Sequence, residues 1–230
     1  MNRLKELTSI YPILGNAWET MIYLNVTNPI YKFSDFWKAL DYWEYQVEMD
    51  LDVFKRFIEL EYVSIVARDS ELRDKLTSLL PVSYCEKLKG LSCRDSSIDT
   101  LEEVSNLKLV EYLDLSRTAV ESLDCISHWK LKGLNFQFTF DSELIDLAKF
   151  TDLKQLNIRY GNVDLNALVN LKNLEYLNIG YCKIDDFSPL FELPNLKEIY
   201  LPDNNFRKSD LLKYKEINPE CDMGDIERLY

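Results

Sequence analysis

Residues 174 to 184 read LEYLNIGYCKI, with apolar side chains at Leu174, Leu177, Ile179 and Ile184 and a cysteine at 182. The spacing departs from the 3.6-residue period of an amphipathic helix and from the 2-residue alternation of a lone strand, although Leu177 and Ile179 by themselves read as a strand. Its meaning comes from recurrence. The opening six residues return as LKGLSC from Leu88, VEYLDL from Val110, LKGLNF from Leu131, LKQLNI from Leu153 and LKEIYL from Leu196, so that successive starts lie 22, 21, 22, 21 and 22 residues apart. Self-similarity at so regular a period marks a chain built from stacked units that bury a common core only by stacking.

Between these strand signatures runs a second period. Ile98, Leu101, Val104, Leu107 and Val110 are spaced by three, as are Leu144, Leu147, Phe150 and Leu153; Leu165, Leu168, Leu171 and Leu174; and Ile184, Phe187, Leu190, Leu193 and Leu196. Side chains at i and i+3 eclipse in a 3₁₀ helix, so each unit reads as a short strand, a turn and a tight 3₁₀ return whose apolar row meets the strand's inward pair. Strands are expected to start near residues 90, 112, 133, 155, 176 and 198 and to pair in parallel.

The Lxx[L]x[L] pattern at this period resembles the leucine-rich repeat, and the 21 to 22-residue length with a 3₁₀-type return is similar to the short class found in internalins and in the regulatory subunit of protein phosphatase 1. The resemblance implies an α/β solenoid with a parallel sheet on the concave face, 3₁₀-type convex returns and a helical N-terminal cap. The family's buried asparagine position is filled by Ser96, Thr118, Thr139, Gly161, Cys182 and Asn204. Because Gly161 has no side chain to donate, the turn after Arg159 is expected to be irregular, and Asp141 at an apolar position marks a second expected irregularity.

The flanks complete the domain plan: residues 1–59 form a partly helical cap, 60–208 the solenoid and 209–230 a C-terminal cap. Leu60, Val63 and Ile65 form a divergent first repeat, and the 28 residues from Leu60 to Leu88 imply an insertion within 60–87. Upstream, Ser34 is placed to cap a helix carrying Phe36, Leu40, Trp43, Val47, Phe54 and Ile58, while residues 18–26 read equally as strand or helix. A helical cap covers the core edge that the first coil would otherwise open to water. Downstream, Ser209 is placed as a helix N-cap and Asn218-Pro219 as its stop.

The 230 residues, 47% hydrophobic and 13% aromatic, carry a formal charge of -12. Such a balance disfavours nucleic acid and anionic membranes as partners and fits a protein partner of basic character. The N-terminus shows no secretory pattern and no run reaches membrane-spanning length, so a cytoplasmic location is expected. Five cysteines without a CxxC pair read as reduced, buried thiols. His128 is the single histidine, neither Cys125–His128 nor Cys221–Asp225 has a second cluster to complete a metal site, and no phosphate-binding glycine motif occurs. No enzyme, cofactor or metal is expected.

On a strand whose leucines point inward, the third, fifth, seventh and eighth positions face outward. These supply Tyr112, Arg117, Phe138, Arg159, Tyr160, Tyr176, Tyr181 and Tyr200, a set of aromatic and arginine side chains of the kind that anchors protein interfaces, with asparagines among them. A secondary acidic surface is expected at Asp41, Glu44, Glu48 and Asp52, which share a helix face. The chain therefore reads as a non-catalytic protein-binding module. By analogy with stand-alone acidic bacterial leucine-rich proteins, it reads as an immunity or antitoxin-like inhibitor that occludes its partner, with an effector or adaptor acting on a host or signalling protein as the alternative.

Overall fold

The computed structural model describes residues 4–9, 18, 21–22, 26, 51–65, 70–138, 146–161, 164–184, 186–201 and 206–224. The chain divides into two compact units, Met1–Asp114 with Thr118–Val120, and Leu115–Arg117 with Glu121–Tyr230.

In the first unit, helix α1 (Leu51–Phe57) precedes strand β1 (Tyr62–Ser64), helix α2 (Ser70–Lys75), strand β2 (Gly90–Ser92) and strand β3 (Tyr112–Asp114). The strands pair in parallel, with Val63 opposite Leu91 and Leu91 opposite Leu113. The divergent first repeat is therefore a member of the sheet, and α2 with a 3₁₀ turn at Val82–Tyr84 occupies the extra length before Leu88. Of the stretch 18–26 that reads equally as strand or helix, residues 18, 21, 22 and 26 are described, and these are helical. Trp18, Met21, Ile22 and Val26 fall at helical spacing and are each at most 2% exposed. Of the long helix expected from Ser34, only α1 lies within the described residues.

The second unit holds strands β4 (Gly133–Asn135), β5 (Gln155–Asn157), β6 (Tyr176–Asn178) and β7 (Glu198–Tyr200), and ends in helix α3 (Lys208–Ile217). Leu134, Leu156, Leu177 and Ile199 stand in one row across the parallel ladder. Starts at 90, 112, 133, 155, 176 and 198 match the expected register at every repeat. The row from Leu165 to Leu174 and the row from Ile184 to Leu196 are buried throughout, and so is the row from Ile98 to Val110 in the first unit.

Five of the returns are started by a short polar side chain that accepts the N–H two residues on. Thr100 and Ser122 do this for Glu102 and Asp124, and Asp146, Asp164 and Asp186 for Ala148, Asn166 and Ser188. The bond satisfies a donor at the start of a 3₁₀ segment that has no partner within it. Neighbouring repeats are also tied at the entry to their strands. Glu61 pairs with Lys89 at 2.8 Å in the first unit, and Glu175 lies between Lys154 at 3.2 Å and Lys197 at 2.5 Å in the second.

The turn at Gly161 is regular, contrary to expectation. Gly161 N–H donates to the Ile158 carbonyl at 2.9 Å, as Cys182 N–H does to Ile179 at 3.3 Å and Ser96 N–H does to Cys93 at 3.2 Å. The backbone bond closes the turn without a side chain, and the Cys182 thiol of the following repeat donates to the same Ile158 carbonyl at 3.2 Å. Burial pushes the Cys182 and Cys93 thiols above their ordinary pKa. The position of Asp141 lies outside the described residues.

At the C-terminal end, α3 starts at Lys208 with Arg207 in the cap position and no side-chain cap bond, so Ser209 sits inside the first turn. Phe206 fixes the start instead, its ring 4.5 Å from that of Phe187. The stop is where the sequence places it: Asn218 N–H donates to Tyr214 at 2.8 Å, and its amide donates to the Leu196 carbonyl at 3.1 Å. The chain then returns to the sheet. Asp222 lies parallel to Glu198 as an isolated bridge, its N–H donating to Lys197 at 2.7 Å while Ile199 N–H donates to its carbonyl at 2.8 Å. Among the described residues no helix is long and apolar enough to cross a membrane.

Candidate functional site

The outward side of the second unit's sheet brings together Arg117, Phe138, Arg159, Tyr160, Tyr181 and Tyr200. The fifth strand position sets the turn that presents them. Asn135, Asn157 and Asn178 each turn their side-chain oxygen to the N–H two residues on, at 3.4, 3.2 and 3.1 Å. That donor lies past the strand end, where the ladder no longer supplies an acceptor, and an asparagine reaches it as in an Asx-turn. The sequence reading of these asparagines as contact residues is therefore corrected. Asn135 and Asn178 are buried and hold the backbone.

Immediately after the turn comes the eighth position, where the backbone is left-handed in repeat after repeat. Arg117, Phe138, Tyr160 and Tyr181 have φ of 56°, 57°, 61° and 59°, as does Asp95 of the first unit at 56°. This conformation suits glycine or asparagine, and a larger L-residue there costs about 1–2 kcal/mol. The rings recover part of that by stacking. Phe138 and Tyr160 are 4.1 Å apart at 20°, and Tyr160 and Tyr181 are 4.6 Å apart at 11°. Arg117 lies over Phe138 at 4.8 Å, and Arg159 over Tyr160 at 4.8 Å, Tyr181 at 4.6 Å and Tyr200 at 5.9 Å. Arg159 also donates from Nη2 to the Tyr160 hydroxyl at 3.2 Å.

Exposure divides the tyrosines. Tyr160, Tyr181 and Tyr200 are exposed by 41%, 38% and 43%, whereas Tyr176 and Phe138 are half-buried. The Tyr176 phenol is pushed above its ordinary pKa by burial, against a hydrogen bond with Asn178 that lowers it. Tyr112 belongs to the first unit, on β3, and is half-buried. Of the acidic surface, Asp52 is exposed in the first turn of α1, and Asp41, Glu44 and Glu48 lie outside the described residues.

The other residues weighed for chemistry are dispersed. His128 is exposed, Cys125 is half-buried within the 3₁₀ turn Asp124–Ile126, and Cys221 is buried with its thiol raised by burial. Among the described residues no three His, Cys, Asp or Glu side chains gather as metal ligands would.

Residues 172–215 match the family described as Leucine Rich repeats (2 copies). A probable disease resistance protein of Arabidopsis thaliana is 34% identical over 102 residues, which is 42% of this chain, and the chain spans only 12% of that protein's length. Internalin C2 from Listeria monocytogenes shares the fold at a TM-score of 0.58 and 23% identity, over 90% of this chain and 92% of that one. A second internalin of the same organism does so at 0.58 and 20%, over 76% of this chain and 50% of that one. Parallel strands in the 21 to 22-residue register, 3₁₀ returns, a matched pair of repeats at residues 172–215 and the fold shared with the internalins show that this chain has the leucine-rich-repeat solenoid fold.

Proposed function

We propose that the chain is a non-catalytic protein-binding module that acts in the cytoplasm as an inhibitor of the immunity or antitoxin kind, covering its partner's working surface with the outward face of the second unit's sheet. The observation that carries the binding part is the exposed comb of Tyr160, Tyr181 and Tyr200 held by Arg159 and continued by Phe138 and Arg117. Tyrosine and arginine dominate the energetics of protein interfaces, and rings already ordered by stacking lose little freedom on binding. The formal charge of -12 favours a partner of basic overall character.

The test begins with a partner isolated by co-expression with neighbouring gene products, whose own activity is then measured with the chain bound. Tyr200→Ala is the most informative variant, because Tyr200 is exposed and has no ring stacked on it among the described residues. It is expected to weaken binding by about tenfold or more with an unchanged melting temperature. A partner that stays fully active in the complex would replace inhibition with an adaptor role, and undiminished binding by Tyr200→Ala would move the interface off this face.

A further inference from the structure

Several cations among the described residues are paired with carboxylates. Arg73 and Arg94 meet Asp95, Lys149 meets Asp124 and Asp146, Lys154 and Lys197 meet Glu175, and Lys172 meets Glu192. Arg159 differs. Among the described residues no carboxylate reaches it; its partners are three rings and one hydroxyl. A guanidinium has five N–H donors, and here one of them finds an acceptor while Nε is buried without one. A half-buried, weakly hydrated guanidinium with unused fork positions is suited to a planar, two-oxygen acceptor.

The rings around it point the same way. With centroids 4.1 and 4.6 Å apart, Phe138, Tyr160 and Tyr181 are in face contact and leave no slot for a partner's lysine or arginine. The electron-rich faces are occupied by one another and by the two guanidinium groups, so the tyrosines offer their edges and hydroxyl groups, and a ring edge carries the positive end of the quadrupole. Edge and guanidinium together make a small electropositive spot on a chain of net charge -12.

We infer that the partner seats a carboxylate side chain against Arg159 and the Tyr160 and Tyr181 edges; this rests on the outward-face reading above and specifies the anchor within it. The partner's overall charge and the charge of its anchor are separate quantities, and a basic protein can dock through one acidic residue.

The probe is a random linear peptide library displayed on phage and panned over the whole purified chain, with Arg159→Gln and Tyr200→Ala in parallel. Peptides enriched on the unaltered chain are expected to share an Asp or Glu next to an apolar residue. Replacing that acid with its amide in the synthetic peptide should weaken binding about tenfold or more, and that penalty should vanish on Arg159→Gln. Arg159→Lys, which keeps the charge and stem without the fork, should bind in between, and it serves in place of Arg159→Gln if that variant does not fold. A consensus without an acid, insensitive to Arg159→Gln but lost on Tyr200→Ala, overturns the carboxylate anchor and leaves the face intact. Peptides indifferent to both variants, or no enriched peptides at all, overturn the anchor and the face together.

Discussion

Replacing Tyr160 separately by alanine and by glycine tests the left-handed column without any knowledge of the partner. Either change removes two ring contacts, at 4.1 and 4.6 Å, and the Arg159 contact at 4.8 Å. Stacked pairs contribute about 0.5–1.5 kcal/mol each and an exposed cation–π contact about 0.5–1 kcal/mol. With the ring 41% exposed, the lower part of these ranges applies, and the alanine variant should lose about 2 kcal/mol. Alanine keeps the strain of φ at 61°, whereas glycine relieves about 1 kcal/mol of it. Tyr160→Gly should therefore be more stable than Tyr160→Ala by about 1 kcal/mol, the reverse of their usual order in regular structure. Urea unfolding followed by circular dichroism, with equal m-values required, measures the difference. An alanine variant as stable as the glycine variant or more so would refute the left-handed assignment. A double-mutant cycle between Tyr160 and Tyr181 should return a coupling of about 0.5–1.5 kcal/mol, and a coupling of zero would refute the stack.

Three further outcomes are expected. Leu177→Ala, at a fully buried position in the central row, should cost about 2–5 kcal/mol in urea unfolding, and a loss near zero would break the repeat register. Glu175 is held below its ordinary pKa by hydrogen bonds from Lys197 and then Lys154, so its contribution is present above the unfolded value near about 4.3 and is lost as pH falls through the lower folded value; the stability gap between the native chain and Glu175→Gln should shrink below about pH 4, and a gap that widens there would contradict the pairing. Half-buried Cys125 should react with a thiol reagent well before Cys85, Cys93, Cys182 and Cys221, which are buried; uniform fast labelling of all five would be inconsistent with the core.

The register was legible because it is written in large aliphatic residues that recur at fixed spacing. Leu134, Leu156, Leu177 and Ile199 cannot shift by one place without turning a whole row outward. The 3₁₀ rows were legible for the same reason. The left-handed column was not, because its occupants, Asp95, Arg117, Phe138, Tyr160 and Tyr181, share no side-chain chemistry. Only the backbone is common to them. Three asparagines at one position in consecutive repeats did carry a signal, since asparagine accepts an N–H two residues on, but it was read as an interface composition. The tyrosines read from sequence as independent contact residues are partly one another's partners, so removing Tyr160 and Tyr181 together is expected to lower the melting temperature rather than leave it unchanged. The start of α3 was missed because Phe206 against Phe187 fixes it, a contact between residues 19 positions apart that no local capping rule contains.

The short return of residues 221–223 to the sheet has a consequence for assembly. Parallel strands present identical hydrogen-bonding edges, so one chain's last strand is a template on which another chain's first strand can be laid, and such contacts propagate without closing. Asp222 occupies that template at Lys197 and Ile199, and Lys215 holds the strap down by donating to the Cys221 carbonyl at 2.6 Å. The strap acts as a chain terminator in the polymer sense. A version with Asp222 replaced by proline, which cannot donate to Lys197, would present a living end.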